Sequence, residues 1–216
     1  MEASALCLSP ARSAGGAEKG AIIRRLKRRE PGDVLLCIDA TRLRLFPPLR
    51  STWARKGEQA RVPVTGRNAK RVLFGAINVR TGHRIVVQRP GEGAPDAQML
   101  LKAIRRCYRH AATIWLLLDE ASAHTAAGTR QLATQLSIEL VWLPKQWPEL
   151  NAMDQLWREL KRLIAANRQA TSIHELTEQA AQWVLGLSKQ EALRKAGVLS
   201  PNFWLRNLLQ DFCGPT

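Results

Sequence analysis

The chain has 216 residues, a length that suits one sizeable domain or one domain with a short extension. Hydrophobic residues make up 45% and charged residues 24%, enough apolar material for a packed core and too much for a disordered chain. Lys and Arg number 33 against 18 Asp and Glu, a net +15 that favours a polyanionic partner, and no apolar run approaches the roughly 18 residues needed to cross a bilayer.

Residues 1–20 lack the continuous apolar stretch of a secretory signal, so a cytoplasmic protein is expected. Their Ala, Ser and Gly content shows no sustained period, and residues 1–32 read as a disordered or linker leader. This leader carries the cluster Arg24, Arg25, Lys27 and Arg28, either a solvated helix end or an arm that contacts phosphate. The first thirty residues hold seven basic and three acidic side chains, a net +4, which leaves +11 for the rest of the chain. The positive charge belongs mainly to the folded part. Cys7, Cys37, Cys107 and Cys213 form no C-x-x-C pair, which argues against a zinc finger or a disulfide framework.

Val34–Ile38 is a short apolar run suited to a buried strand, and a second extended stretch around Arg42–Phe46 stops at Pro47-Pro48. Arg71–Val79 and Arg84–Gln88 flank Arg80-Thr81-Gly82-His83 and predict a hairpin. Helix is predicted from Pro95 to about Tyr108, strand at Ile114–Leu118, helix from about Ala126 to Leu136, and strand at Ile138–Leu143. Met153, Leu156, Trp157, Leu160, Leu163 and Ile164 then form one helical apolar stripe, with Asn151 as its N-cap. Further helices are predicted at Ile173–Leu185 and near Lys189–Ala196. Consecutive strands followed by strands separated by helices predict an α/β fold with a mixed sheet. No Gly-rich phosphate loop follows the first strand, which argues against a nucleotide-binding α/β protein.

Asp39 follows the first apolar run, Asp119 follows Ile114–Leu118, and Asp154 falls in the first turn of the amphipathic helix. Each alone is an ordinary turn or helix-dipole residue. Brought together, three carboxylates suit a hard divalent cation that prefers oxygen ligands.

The segment Leu143-Pro144-Lys145-Gln146-Trp147-Pro148-Glu149-Leu150-Asn151-Ala152-Met153-Asp154-Gln155-Leu156-Trp157-Arg158-Glu159-Leu160-Lys161 resembles the signature of mariner-like bacterial insertion-sequence transposases, members of the DDE superfamily of endonucleases. Asp119 with His124 five residues later resembles the second motif of that family, and Asp39 with Trp53-x-x-x-Gly57 resembles the first. The 34 residues between Asp119 and Asp154 match the mariner-type spacing. The chain departs from the family pattern at Ala40, Glu120 and Ala152, while all three ligand positions remain acidic.

The resemblance implies a ribonuclease H-like mixed five-stranded sheet flanked by helices, with extra C-terminal helices. It also implies a catalytic domain over 33–170 and a helical extension over 171–216. Asp39, Asp119 and Asp154 would be catalytic and would hold two magnesium or manganese ions, Asp39 bridging both. The implied reaction is DNA strand cleavage and strand transfer, with insertion at TA dinucleotides and double-stranded DNA as partner, in a homodimeric synaptic complex. His124 and Glu120 are possible supporting residues, each with an ordinary loop or cap role as the alternative. Trp53 could stack on bases, Lys161 could contact phosphate, and Arg158 could contact DNA or pair with Asp154 four residues away. About thirty residues precede the first strand, too few for a helix-turn-helix module, so weak recognition of element ends is expected. Two alternatives stay open: a remnant that binds DNA without cutting it, and a ribonuclease H-like nuclease with another substrate.

Overall fold

The computed structural model describes residues 10–48, 53, 55–57, 61–62, 68–145, 147–167 and 170–210, with side chains from residue 16 onward. Five strands form one mixed sheet in the order β3-β2-β1-β4-β5: β1 Val34–Arg44, β2 Lys70–Asn78, β3 Arg84–Arg89, β4 Ile114–Leu118 and β5 Ile138–Trp142. β1, β2 and β3 are antiparallel neighbours, whereas β4 and β5 continue the sheet in parallel from the other edge of β1. The mixed sheet is the expected one. Helices α2 (Ala94–Cys107), α3 (Ser122–Thr125) and α4 (Ala127–Gln135) supply the crossovers between strands, as parallel pairing requires.

Period-two alternation sends side chains to two faces. Leu36, Ile38, Phe74, Leu116 and Leu118 pack with Leu100, Leu101 and Ile104 of α2. Leu35, Cys37, Leu73, Ile77 and Leu117 pack with Met153, Leu156, Trp157 and Leu160 of α5 (Ala152–Leu160). Leu176, Ala180 and Val184 of α6 (Ile173–Gly186) and Ala192 of α7 (Lys189–Lys195) lie in this second cluster too. Ser172 and Ser188 cap α6 and α7, each accepting from the backbone three residues on. Leu208 of α8 (Arg206–Gln210) closes the cluster from the C-terminal side.

Three expectations change. The two stretches predicted at 34–38 and 42–46 are one eleven-residue strand, because β2 keeps pairing from Asp39↔Gly75 as far as Arg44↔Lys70. Pro10–Leu26 of the leader is helix α1, held by Ile22 and Leu26, which bury against the α5 face of the sheet; residues 1–9 lie outside the described residues. The stripe of α5 ends early: Lys161–Ala165 forms a π-turn, which leaves Leu163 39% exposed and buries Ala165 instead.

Candidate metal centre

β4 stops pairing with β1 at Leu117↔Cys37, whereas β1 runs seven residues further along β2 to Arg44. Past Cys37 one edge of β1 therefore has no strand beside it among the described residues, and a cavity of about 410 Å³ opens there. Asp39 from β1, Asp119 just after β4, and Asp154 from the first turn of α5 all line it. The structure thus brings together the three acids, although Asp39 sits within its strand rather than after its end. The difference arises because a neighbouring strand continues, which no local pattern at residues 34–46 records.

The cavity's electrostatics follow from crowding like charges in a half-buried place. Burial, then the charges of Asp154 and Asp119, push the Asp39 carboxyl up to about 7, only partly offset by the Ala40 backbone and Lys161. Burial also raises Asp154, against the pull of Arg158 and Lys161. Arg158 Nη2 stands 2.8 Å from Asp154 Oδ2 as an ion pair outside hydrogen-bonding geometry, so that buried oxygen accepts no hydrogen bond. The Asp119 side chain is 60% exposed, and its Oδ1 accepts from the Ala121 N–H at 3.3 Å in a short turn.

Among the described residues, no three His, Cys, Asp or Glu side chains are gathered closely enough to hold a metal ion as they stand. The donor set still fits a hard divalent cation. It comprises three carboxylates around one cavity, one of them repelled by the other two and another with an unfilled buried oxygen. Side-chain rotations would be needed to close it.

The supporting candidates fare differently. His124 is buried, and its Nε2 lies 3.7 Å from Asp119 Oδ1, too far for a hydrogen bond. Burial lowers its pKa more than Asp119 raises it, so the ring is neutral at pH 7 and backs Asp119 without pairing with it. Glu120 turns from the acids to Lys145, 3.2 Å away, and the pair spans the cavity mouth. Arg158 pairs with Asp154, and Lys161 lies near enough to act electrostatically on both Asp39 and Asp154. Trp53 is fully exposed and does not line the cavity.

The basic cluster is not brought to the acids. Arg24, Arg25, Lys27 and Arg28 precede the start of β1, and Arg25 pairs with Glu139 near the start of β5. Both places are at the sheet end opposite Asp39. Lys19, nearer the start of α1, reaches the cavity side instead, its ammonium 4.4 Å from the Trp147 ring centroid.

Three residues hold the acids in register: Asn151, read as a helix cap, Trp157, read as part of an apolar stripe, and Gly75, which no sequence motif singles out. Asn151 caps α5 by accepting from the Met153 N–H at 3.0 Å, and its amide donates to the Ile38 carbonyl at 2.9 Å. Trp157 Nε1–H donates to the Asp39 carbonyl at 3.3 Å. Gly75, paired with Asp39, lets α5 approach: a Cβ there would lie 2.4 Å from Met153 Cε and 2.5 Å from Trp157 Cζ2. A glycine inside an apolar strand was the available signal for this close approach.

The sequence profile of the DDE superfamily endonuclease family matches residues 34–177. The chain is 28% identical over 147 residues to the insertion element IS630 uncharacterized 39 kDa protein of Shigella sonnei, covering 68% of this chain and 43% of that one. The chain thus spans less than half the length of that curated relative. Its fold is similar to the mariner Mos1 paired end complex with Mg, at TM-score 0.66 and 17% identity over 100% of this chain and 66% of that one. The catalytic domain of Mos1 mariner transposase gives a TM-score of 0.62 at 16% identity, over 97% and 98% of the two chains. At such identities the likeness is one of fold.

Proposed function

This chain belongs to the DDE superfamily endonucleases, and on that premise we propose that it is the catalytic domain of an insertion-sequence transposase, performing metal-dependent DNA strand cleavage and strand transfer. The observation that carries the reading is the lining of one cavity by Asp39, Asp119 and Asp154, two of which raise the pKa of the third. Magnesium or manganese, two ions held by these carboxylates, would activate the attacking oxygen and stabilise the leaving one. Asp39, the acid most crowded by the other two, is the one suited to bridge.

The chain's own groups supply the rest. Asn151 and Trp157 hold Asp154 and Asp39 in register through the Ile38 and Asp39 carbonyls. Arg158 occupies Asp154 until a cation competes for it. Lys161 offsets the repulsion within the cluster and offers a contact to a phosphate. His124, neutral and buried, limits the movement of Asp119. Residues 33–170 would carry the catalytic unit, with 171–216 as a helical extension packed on it. The partner proposed is double-stranded DNA, bound by two copies of the protein in a synaptic complex. No helix among the described residues is long and apolar enough to cross a membrane, which is compatible with action on DNA in the cytoplasm.

The test is a strand-transfer assay with manganese, joining duplex oligonucleotides that bear a free 3′-hydroxyl to plasmid DNA. Wild-type protein is expected to give joined product, and Asp154→Asn to bind duplex equally well without joining it. Joining by Asp154→Asn at the wild-type rate would overturn the assignment. A second reading, a protein that binds DNA without cutting it, is favoured by the fact that the described acids are not closed around one point. Absence of manganese binding by calorimetry, with duplex binding intact, would select that reading.

A further inference from the structure

Beyond Asp39 the free edge of β1 leads into a second cavity, of about 480 Å³. Arg42, Arg44 and Lys161 line it together with Phe46 and Pro48. Arg42 also lines the space around Asp39, Asp119 and His124, and Lys161 acts electrostatically on Asp39 and Asp154, so the groove lies beside the acids. Arg42 and Arg44 are alternate exposed residues of β1, about 7 Å apart, and exposed Phe46 follows in the bend just after the strand. Phe46, 46% exposed, is a large ring in a place where burial would be the default. Glu92 pairs with Arg42, while Arg44 and Lys161 line the groove together with the apolar Leu43 and Ala165.

Three cations and an exposed aromatic ring lining one groove, beside a cluster of acids proposed to act on DNA, define the chemistry of the occupant. The groove has the size of a site for one small ligand, about 300–1,000 Å³, which suits a single nucleotide. We propose that this groove binds an unpaired nucleotide of the DNA strand next to the scissile phosphate, its phosphate held by Arg44 and Lys161 and its base stacked on Phe46. The inference rests on the proposed DNA-cleaving function and adds to it a subsite for single-stranded flank. Cation-lined grooves with an aromatic platform bind single strands with little regard to sequence, because every base presents a π-face.

The experiment is fluorescence anisotropy in EDTA, so that no cleavage occurs, comparing a blunt duplex with the same duplex carrying a four-thymidine 3′ overhang. Wild-type protein is expected to prefer the overhang by about tenfold, the size of one stacked base. Phe46→Ala should lose that preference while keeping its affinity for blunt duplex, and Arg44→Ala should weaken overhang binding and flatten its salt dependence. An overhang of abasic residues should keep only the part of the preference that its phosphates supply, and its binding should not respond to Phe46→Ala. Equal binding of overhang and blunt duplex by wild-type protein would sink the subsite and leave the DNA-cleaving function standing. So would a preference that is undiminished in Phe46→Ala or with the abasic overhang. Failure to bind either DNA would count against both.

Discussion

Asn151 and Ile38 are 113 residues apart in the chain, and the side-chain amide of Asn151 donates to the Ile38 carbonyl at 2.9 Å. The same amide oxygen accepts from Met153, so one side chain starts the helix that carries Asp154 and fastens it to the strand that carries Asp39. Asn151→Ala removes the cap and orphans a buried carbonyl. A loss of about 2 kcal/mol in urea unfolding is expected, with strand joining reduced more than DNA binding. Asn151→Asp keeps the cap and loses the donor, so it should recover part of the stability and little of the joining. An unchanged unfolding midpoint for the alanine variant would refute the role.

Gly75 tests the same register from the other side. An added methyl meets Met153 Cε at 2.4 Å and Trp157 Cζ2 at 2.5 Å, and the methionine can yield more readily than the indole. Gly75→Ala is expected to cost about 1–3 kcal/mol by overpacking. It should also weaken manganese binding in calorimetry, since α5 moves away from β1. Wild-type manganese affinity in this variant would show that the close approach matters for packing alone.

The crowding at Asp39 has a pH signature. Its carboxyl is raised to about 7 in the folded protein, so the stability it leaves intact below pH 4 is lost as pH rises through 7. The slope is at most about 1.4 kcal/mol per pH unit. Buried His124 acts in the opposite sense, costing stability as pH falls through 6.5. Comparison with Asp39→Asn cancels the histidine. The variant should be more stable than metal-free wild-type protein at pH 8 and equal to it near pH 4. Thermal unfolding across that range checks the sign, and a constant difference would contradict it.

Arg84 is a buried cation that serves the fold. Its guanidinium donates to the carbonyls of Gly82, Val184, Leu185 and Leu187, collecting the C-terminal end of α6 on β3. Arg84→Ala orphans several carbonyls at once, and a loss of about 2–4 kcal/mol is expected. Arg84→Lys should recover less than half, because an ammonium cannot present the planar fork. Chemical denaturation of both variants is the measurement.

Much of this protein is legible along the chain because its elements follow local rules. Arg71–Val79 and Arg84–Gln88 flanking the turn Arg80-Thr81-Gly82-His83 mark β2 and β3, the apolar stripe from Met153 marks α5, and Asn151 is recognisable as its cap. The acids at 39, 119 and 154 stand out through their neighbours and their spacing. What the tertiary structure decided depends on contacts between distant residues. β2 alone continues β1 past Asp39 and places that acid within a strand, beside an edge that β4 leaves bare. Ile22 and Leu26 make a helix of the leader only because the α5 face of the sheet offers them burial, and the basic cluster ends up at the far end from the acids. Arg42, Arg44 and Phe46 from the end of β1 and Lys161 from the π-turn after α5 become one groove only when that turn settles against the strand. Periodicity reports which face of an element is apolar; which partner covers that face, and what is left open beside it, is set by long-range packing.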